Sequence, residues 1–176
     1  MGSDPYETGA HDLAMEAAGI HEFNLIQYTS ILPPESEEVS MDEARRKYFH
    51  HGMVLECIMS EVHGARGDRI TAGVGRMMVH KKGNGNGSKK GDRIGGFATE
   101  YKGHTAAENA QKELERSLQE LFDRRYDGKD QEMSAMDVTI TSEVVSKKYG
   151  TAMAAMCFVD YIFPELENDA DSVAIS

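Results

Sequence analysis

Apolar residues recur along the chain at two spacings, and the switch between them divides it into elements. Residues 22–28 alternate with the period of a half-buried strand, and Pro33 and Pro34, which donate no backbone N–H, predict that this run stops in a turn. Met53, Val54, Leu55, Ile58, Met59 and Val62 predict a strand over 51–62, closed by a turn at 64–68. Strand patterns follow over 69–80 and 94–101, then at 136–145, with Val138, Ile140 and Val144 on one face, and at 151–163, stopped by Pro164. Helical spacing occurs twice. Residues 11–18 place Leu13, Ala14, Ala17 and Ala18 on one side, with Gly19 as the C-terminal stop. Thr105-Ala106-Ala107-Glu108 reads as a capping box opening a helix to about residue 126, with Ala107, Ala110, Leu114, Leu118, Leu121 and Phe122 on one face. Residues 35–46 fit a loop or a short surface helix. The elements predict one α+β domain over 9–163, between a flexible N-terminus (1–8) and an acidic, mobile tail (164–176).

Composition narrows the function. The 176 residues suffice for a core without staples, and the net charge of −11 argues against a phosphate track for nucleic acid or a polybasic membrane surface. No apolar run reaches the length of a membrane span, and no secretory leader pattern opens the chain, so a cytoplasmic protein is expected. Cys57 and Cys157 stand in apolar segments without ligand spacing and read as buried free thiols. The seven histidines lack zinc spacing, and no metal is expected. The glycine-rich stretch from Lys81 to Gly91 lies between two strand patterns rather than before a helix, so it reads as a hairpin tip and not a phosphate loop. Arg66-Gly67-Asp68 reads as a turn.

One stretch carries chemistry. Thr29-Ser30 stands where the strand at 22–28 gives way to the double proline, and a serine hydroxyl there can attack the preceding carbonyl if an oxyanion donor lies near; Asn24 is a candidate donor. An ordinary strand end is the competing reading. Asp12 likewise reads, by itself, as a solvated helix carboxylate, and Glu100 as a surface acid at a strand end.

Taken together, the ordered motifs resemble the pyruvoyl-dependent arginine decarboxylases from Asp12 to Tyr161. The matching pieces are Asp12, Ala18-Gly19-Ile20, Asn24-Leu25-Ile26, Thr29-Ser30-Ile31-Leu32-Pro33-Pro34, Glu100-Tyr101-Lys102-Gly103, and Lys148-Tyr149-Gly150 before an alanine-rich strand. Thr29 departs from the usual serine but keeps a hydroxyl and a carbonyl. The resemblance implies a four-layer αββα sandwich of antiparallel sheets, assembled as a homotrimer or hexamer with sites between subunits. It also implies self-cleavage between Thr29 and Ser30, leaving a covalent pyruvoyl group made from Ser30 that serves as electron sink for converting L-arginine to agmatine and carbon dioxide. In that reading Asn24 orients the scissile peptide or its oxyanion, and Thr29 becomes a new C-terminus. Asp12 holds the substrate guanidinium, with Met15 and Ile31 as further substrate contacts. Glu100 donates a proton, a role asking for partial burial. Two alternatives remain open at this level: an unprocessed homologue acting as scaffold or regulatory subunit, and a pyruvoyl decarboxylase for another amino acid.

Overall fold

The computed structural model describes residues 1–83, 92–126, 128 and 130–161. Its first helix, α1 (Glu7–Ala18), turns the fully buried Ala10 and Ala14 to the protein and ends on Gly19. Gly19 takes φ 74°, and its N–H meets the carbonyls of Glu16 and Met15; the left-handed turn is open to glycine without a Cβ penalty. The expectation of a flexible stretch over 1–8 is corrected: β1 (Gly2–Asp4) pairs antiparallel with β9 (Tyr149–Phe158), and α1 begins at Glu7. Hydrophobic patterning could not show this, because polar atoms tie the strand down. Ser3 Oγ accepts from the Lys147 N–H at 2.8 Å and donates to the Tyr149 carbonyl at 3.3 Å.

One sheet has the order β1, β9, β4 (Val54–Ala65), β2 (Asn24–Gln27). Its pairs are antiparallel, as expected, except β2 with β4, which run parallel. A hairpin cannot join parallel neighbours. Here the connection leaves the sheet, contributes β3 (Ile31–Leu32) to the other sheet and passes through α2 (Met41–Lys47) before returning. The second sheet has the order β3, β6 (Arg93–Gly103), β5 (Arg69–Lys81), β7 (Gln131–Met133), and β8 (Asp137–Val144) also pairs with β5. Thus β5 and β6 fall where the sequence places them, whereas β4 starts and ends three residues late, after a turn in which Gly52 has φ 78°. Strand β9 stops at Phe158 rather than 163.

The layers are α1, first sheet, second sheet, and α3 (Ala107–Arg125): the expected αββα sandwich. Leu32, Ile58, Ile70, Val74, Ala98, Ala152 and Ala154 fill the space between the sheets. Ala152 and Ala154 of β9 therefore serve the inter-sheet core, while Ala155 turns to the α1 side of the sheet. Ala14, Ile20, Leu55 and Met153 pack α1 to the first sheet, and Met77, Val79, Phe97, Leu118 and Phe122 pack α3 to the second. Across the central core the buried Ser60 hydroxyl donates to the Tyr101 carbonyl, joining β4 to β6 beside Glu100.

Two local expectations change. The capping box does not form: the N-cap of α3 is Ala106, without a side-chain bond, because the Thr105 hydroxyl is taken by the Tyr101 hydroxyl at 2.7 Å. Val144 is exposed while Val145, just past the strand, is buried. The glycine-rich stretch at 84–91 and the tail at 164–176 lie outside the described residues. Among the described residues no helix is long and apolar enough to cross a membrane.

Leu118 is fully buried under α3. Leu118→Ala should lower the unfolding free energy by about 2–5 kcal/mol through lost transfer energy and a residual cavity, read from the midpoint shift in urea at unchanged slope.

Candidate active site

Between β2 and β3 the chain changes sheets over Tyr28, Thr29 and Ser30. The last rung on the first sheet is the Tyr28 N–H to the Cys57 carbonyl at 2.8 Å, and the Tyr28 hydroxyl donates to the Glu56 carboxylate. That bond, ahead of desolvation, raises the Tyr28 phenol above its usual range. The first rung on the second sheet is the Ala98 N–H to the Ser30 carbonyl at 3.0 Å. In between, the Thr29 carbonyl accepts from the Ile31 N–H at 3.0 Å.

The crossing gathers reactive groups. Ser30 Oγ lies 3.4 Å from Glu100 Oε1, a long contact that aims the hydroxyl at a base. The Thr29 carbonyl oxygen, which would carry negative charge if Ser30 attacked its carbon, already has an N–H donor in Ile31. This donor was not foreseen in the sequence; backbone groups leave no residue signature there. Glu100 is placed by its pairing with Val74 and by the neighbouring Tyr101 carbonyl bond to Ser60. It is exposed, so the partial burial expected of a proton donor is not supplied by its own chain. Gly96 lets β6 lie close to both its neighbours. A Cβ there would lie 2.5 Å from the Met77 carbonyl oxygen and from Met78 Sδ on β5, and 3.2 Å from Leu32 Cβ on β3, so the β5 backbone requires glycine here and β3 packs tightly beside it.

The other candidate residues stand elsewhere. Asn24 Nδ2 donates to the Gly52 carbonyl at 3.0 Å, on the far end of β2, rather than to the Thr29 carbonyl. Asp12 is exposed on α1 and has no ion pair among the described residues. Its neighbour His11 is tied to Glu61 at 2.5 Å, which fixes the helix on β4. Met15 is half-buried under the same helix, and Ile31 is exposed beside Ser30. Stacked sheets are about 10 Å apart and α1 lies one layer further out, so Asp12 and Ser30 of one chain do not face a common small molecule.

Beside the crossing, toward α3, opens a cleft of about 450 Å³. Thr29, Ser30 and Ile31 form one wall, and Arg124 and Arg125 enter from the last turn of α3. The Arg125 guanidinium lies 4.6 Å over the Phe97 ring. The two thiols, a hundred positions apart in sequence, stand directly opposite across β4 and β9, and burial pushes Cys157 up to about 12, which keeps it a protonated, inert thiol.

The fold and site together define an α+β sandwich that presents a serine at a sheet-to-sheet crossing, with a carboxylate beside it and an N–H donor on the preceding carbonyl. Comparison with known proteins places this arrangement in a family. The family model for pyruvoyl-dependent arginine decarboxylase (PvlArgDC) matches residues 1–163. A relative from Chlamydia abortus, pyruvoyl-dependent arginine decarboxylase AaxB, is 33% identical over 99% of this chain and 88% of its own. The protein of that name from Chlamydia muridarum is 32% identical over 99% and 88%. Pyruvoyl-dependent arginine decarboxylase 1 from Archaeoglobus fulgidus is 29% identical over 84% and 85%. The chain belongs to the pyruvoyl-dependent arginine decarboxylase family, a family of decarboxylase lyases.

Because a Cβ at residue 96 would press on the β5 backbone and, less severely, on β3, Gly96→Ala should shift β6 against both and so displace the Ser30 junction, with retention of the sandwich followed by circular dichroism. Any chain cleavage at that junction, followed by gel and mass spectrometry, should slow at least about tenfold, the scale of a positioned acid–base contact.

Proposed function

We propose that the chain cuts itself between Thr29 and Ser30 and, in the processed form, decarboxylates L-arginine to agmatine and carbon dioxide. The observation that carries this is the pairing at the crossing: Ser30 Oγ faces the Glu100 carboxylate, while the carbonyl it would attack is held by the Ile31 N–H. Glu100 takes the hydroxyl proton as Oγ bonds to the Thr29 carbonyl carbon. The peptide bond between the Thr29 carbonyl carbon and the Ser30 nitrogen then breaks, the nitrogen taking the proton held by Glu100, and an ester remains. Loss of the Ser30 α-proton expels Thr29 as a carboxylate, and water replaces the nitrogen, released as ammonia. The resulting pyruvoyl group supplies an electron sink for carbon–carbon cleavage. The residues present fit such a group: the Ala98 N–H holds the Ser30 carbonyl, which stays bonded to it, and β3 fixes its direction.

In this reading Glu100 acts a second time, returning a proton to the substrate carbon after carbon dioxide leaves. Asn24 acts by orientation, pinning the start of β2 to Gly52 so that the strand delivers Thr29 in register. Asp12 receives the substrate guanidinium, since a carboxylate accepts the planar fork through two oxygens. One chain cannot bring Asp12 and Met15 to its own Ser30, so a second copy supplies them. The exposed apolar residues Ile26, Tyr28 and Ile31 on the edge leading into the crossing support that contact, and a copy seated there would also cover Glu100. A homotrimer or a multiple of one, working in the cytoplasm, is the assembly proposed.

Intact-mass analysis tests the processing. The wild-type protein should consist of two chains, the second lacking a free amine, and Ser30→Ala should stay whole; a wild-type chain uncut after prolonged incubation would instead favour the scaffold reading. Specificity is tested by Asp12→Asn, which should process normally yet weaken arginine binding about ten- to a hundredfold, the worth of a charge-assisted contact of roughly 1.5–3 kcal/mol. Equal binding by that variant, or faster release of carbon dioxide from an amino acid without a cation, would overturn the arginine assignment.

A further inference from the structure

We infer that the cleft between β3, β6 and the last turn of α3 is a carboxylate site, and that its occupant is the α-carboxylate created at Thr29 when the chain is cut. The inference rests on the proposed self-cleavage. Cutting places a new negative charge beside the Ser30-derived group, on a protein whose net charge is already −11. The cleft that Thr29 and Ser30 line holds two guanidinium groups, Arg124 and Arg125. Neither has an ion pair among the described residues, whereas Glu120, the carboxylate lining the same cleft, is 3.6 Å from Arg116 on the helix surface. Ser117 Oγ and Thr99 Oγ1, also in the lining, are paired with each other at 3.0 Å. The Arg125 guanidinium carbon sits 4.6 Å over the Phe97 ring, a contact to a π face that takes up none of its N–H donors and leaves them for an anion.

Basic residues in a last helical turn are favoured by the helix dipole wherever they point. That effect accounts for their presence but not for two cations turned into a cleft walled by the scissile pair. The substrate is the wrong partner at one end, because its guanidinium would be repelled. Its α-carboxylate has the right charge, but that charge is lost as carbon dioxide forms, so a tight cation there would stabilise the ground state over the transition state. The Thr29 carboxylate is permanent. Holding it would neutralise the charge that cleavage creates and draw the severed end away from Ser30, opening the reactive group to substrate.

Carboxypeptidase trimming of the mature protein at neutral pH, followed by intact mass, reads this directly. In the wild type the Thr29 end should resist trimming. The Arg124→Gln/Arg125→Gln variant should be trimmed at least about tenfold faster, with Arg124→Gln, which keeps the stack on Phe97, intermediate. Trimming at equal rates in cleaved protein overturns the inference while leaving self-cleavage standing, and an uncut chain overturns both. Equal trimming with a tenfold rise in KM for arginine would assign the cleft to the substrate carboxylate instead.

Discussion

The site depends on a crossing with almost no slack. Residue 27 closes a strand in one sheet and residue 31 opens a strand in the other, and four Cα steps of at most about 3.3–3.6 Å must bridge layers about 10 Å apart. A chain so short cannot loop back for partners, so its backbone groups take what lies along the path. Tyr28 finishes one ladder, Ser30 begins the other, and the Thr29 carbonyl between them finds the N–H two residues on. The reactive geometry is therefore a consequence of topology. The same crossing makes β2 and β4 parallel, because the chain must return from the second sheet before β4 can form.

Much of this frame was legible. The apolar run of β5 reflects burial on both faces, and the three-to-four spacing of α3 reflects burial on one, and burial leaves a hydrophobic signal. The elements that escaped are those held by polar atoms or by backbone alone: β1 by Ser3, β3 by its short backbone pairing with β6, the start of α3 by a threonine committed to Tyr101. The site divides likewise. Ser30 and Glu100, 70 positions apart, could be linked from sequence only through an ordered set of motifs, and their facing contact follows from β3 pairing with β6. The Ile31 donor and the Arg124–Arg125 pair left no motif, the one being main chain and the other indistinguishable from ordinary helix-end charges.

Asp12 is the instructive exception. Its residue type and its place on α1 are as the sequence indicates, yet the first sheet lies between it and the serine it would serve. A carboxylate left without a counter-charge, fixed on a helix that His11 ties to Glu61, costs little while it faces water. It becomes useful only against a cation brought from outside. The edge with Ile26 and Ile31 presents the opposite deficiency, apolar surface without cover and a carboxyl, Glu100, without a wall.

In the proposed reading, the distribution of charge would sort the two ends of an arginine and the two ends of the cut chain. An excess of acid, a net charge of −11, would draw a cationic substrate toward the protein. On the α3 side of Ser30 the cleft carries two cations, Arg124 and Arg125. A guanidinium approaching from that side would meet like charge, which would favour the amino acid end of an arginine there and leave its cationic end to an acid. The same two cations would give a resting place to the anion that self-cleavage releases. One local change of sign, made by two residues in the last turn of α3, would then serve substrate orientation and separation of the cut ends together.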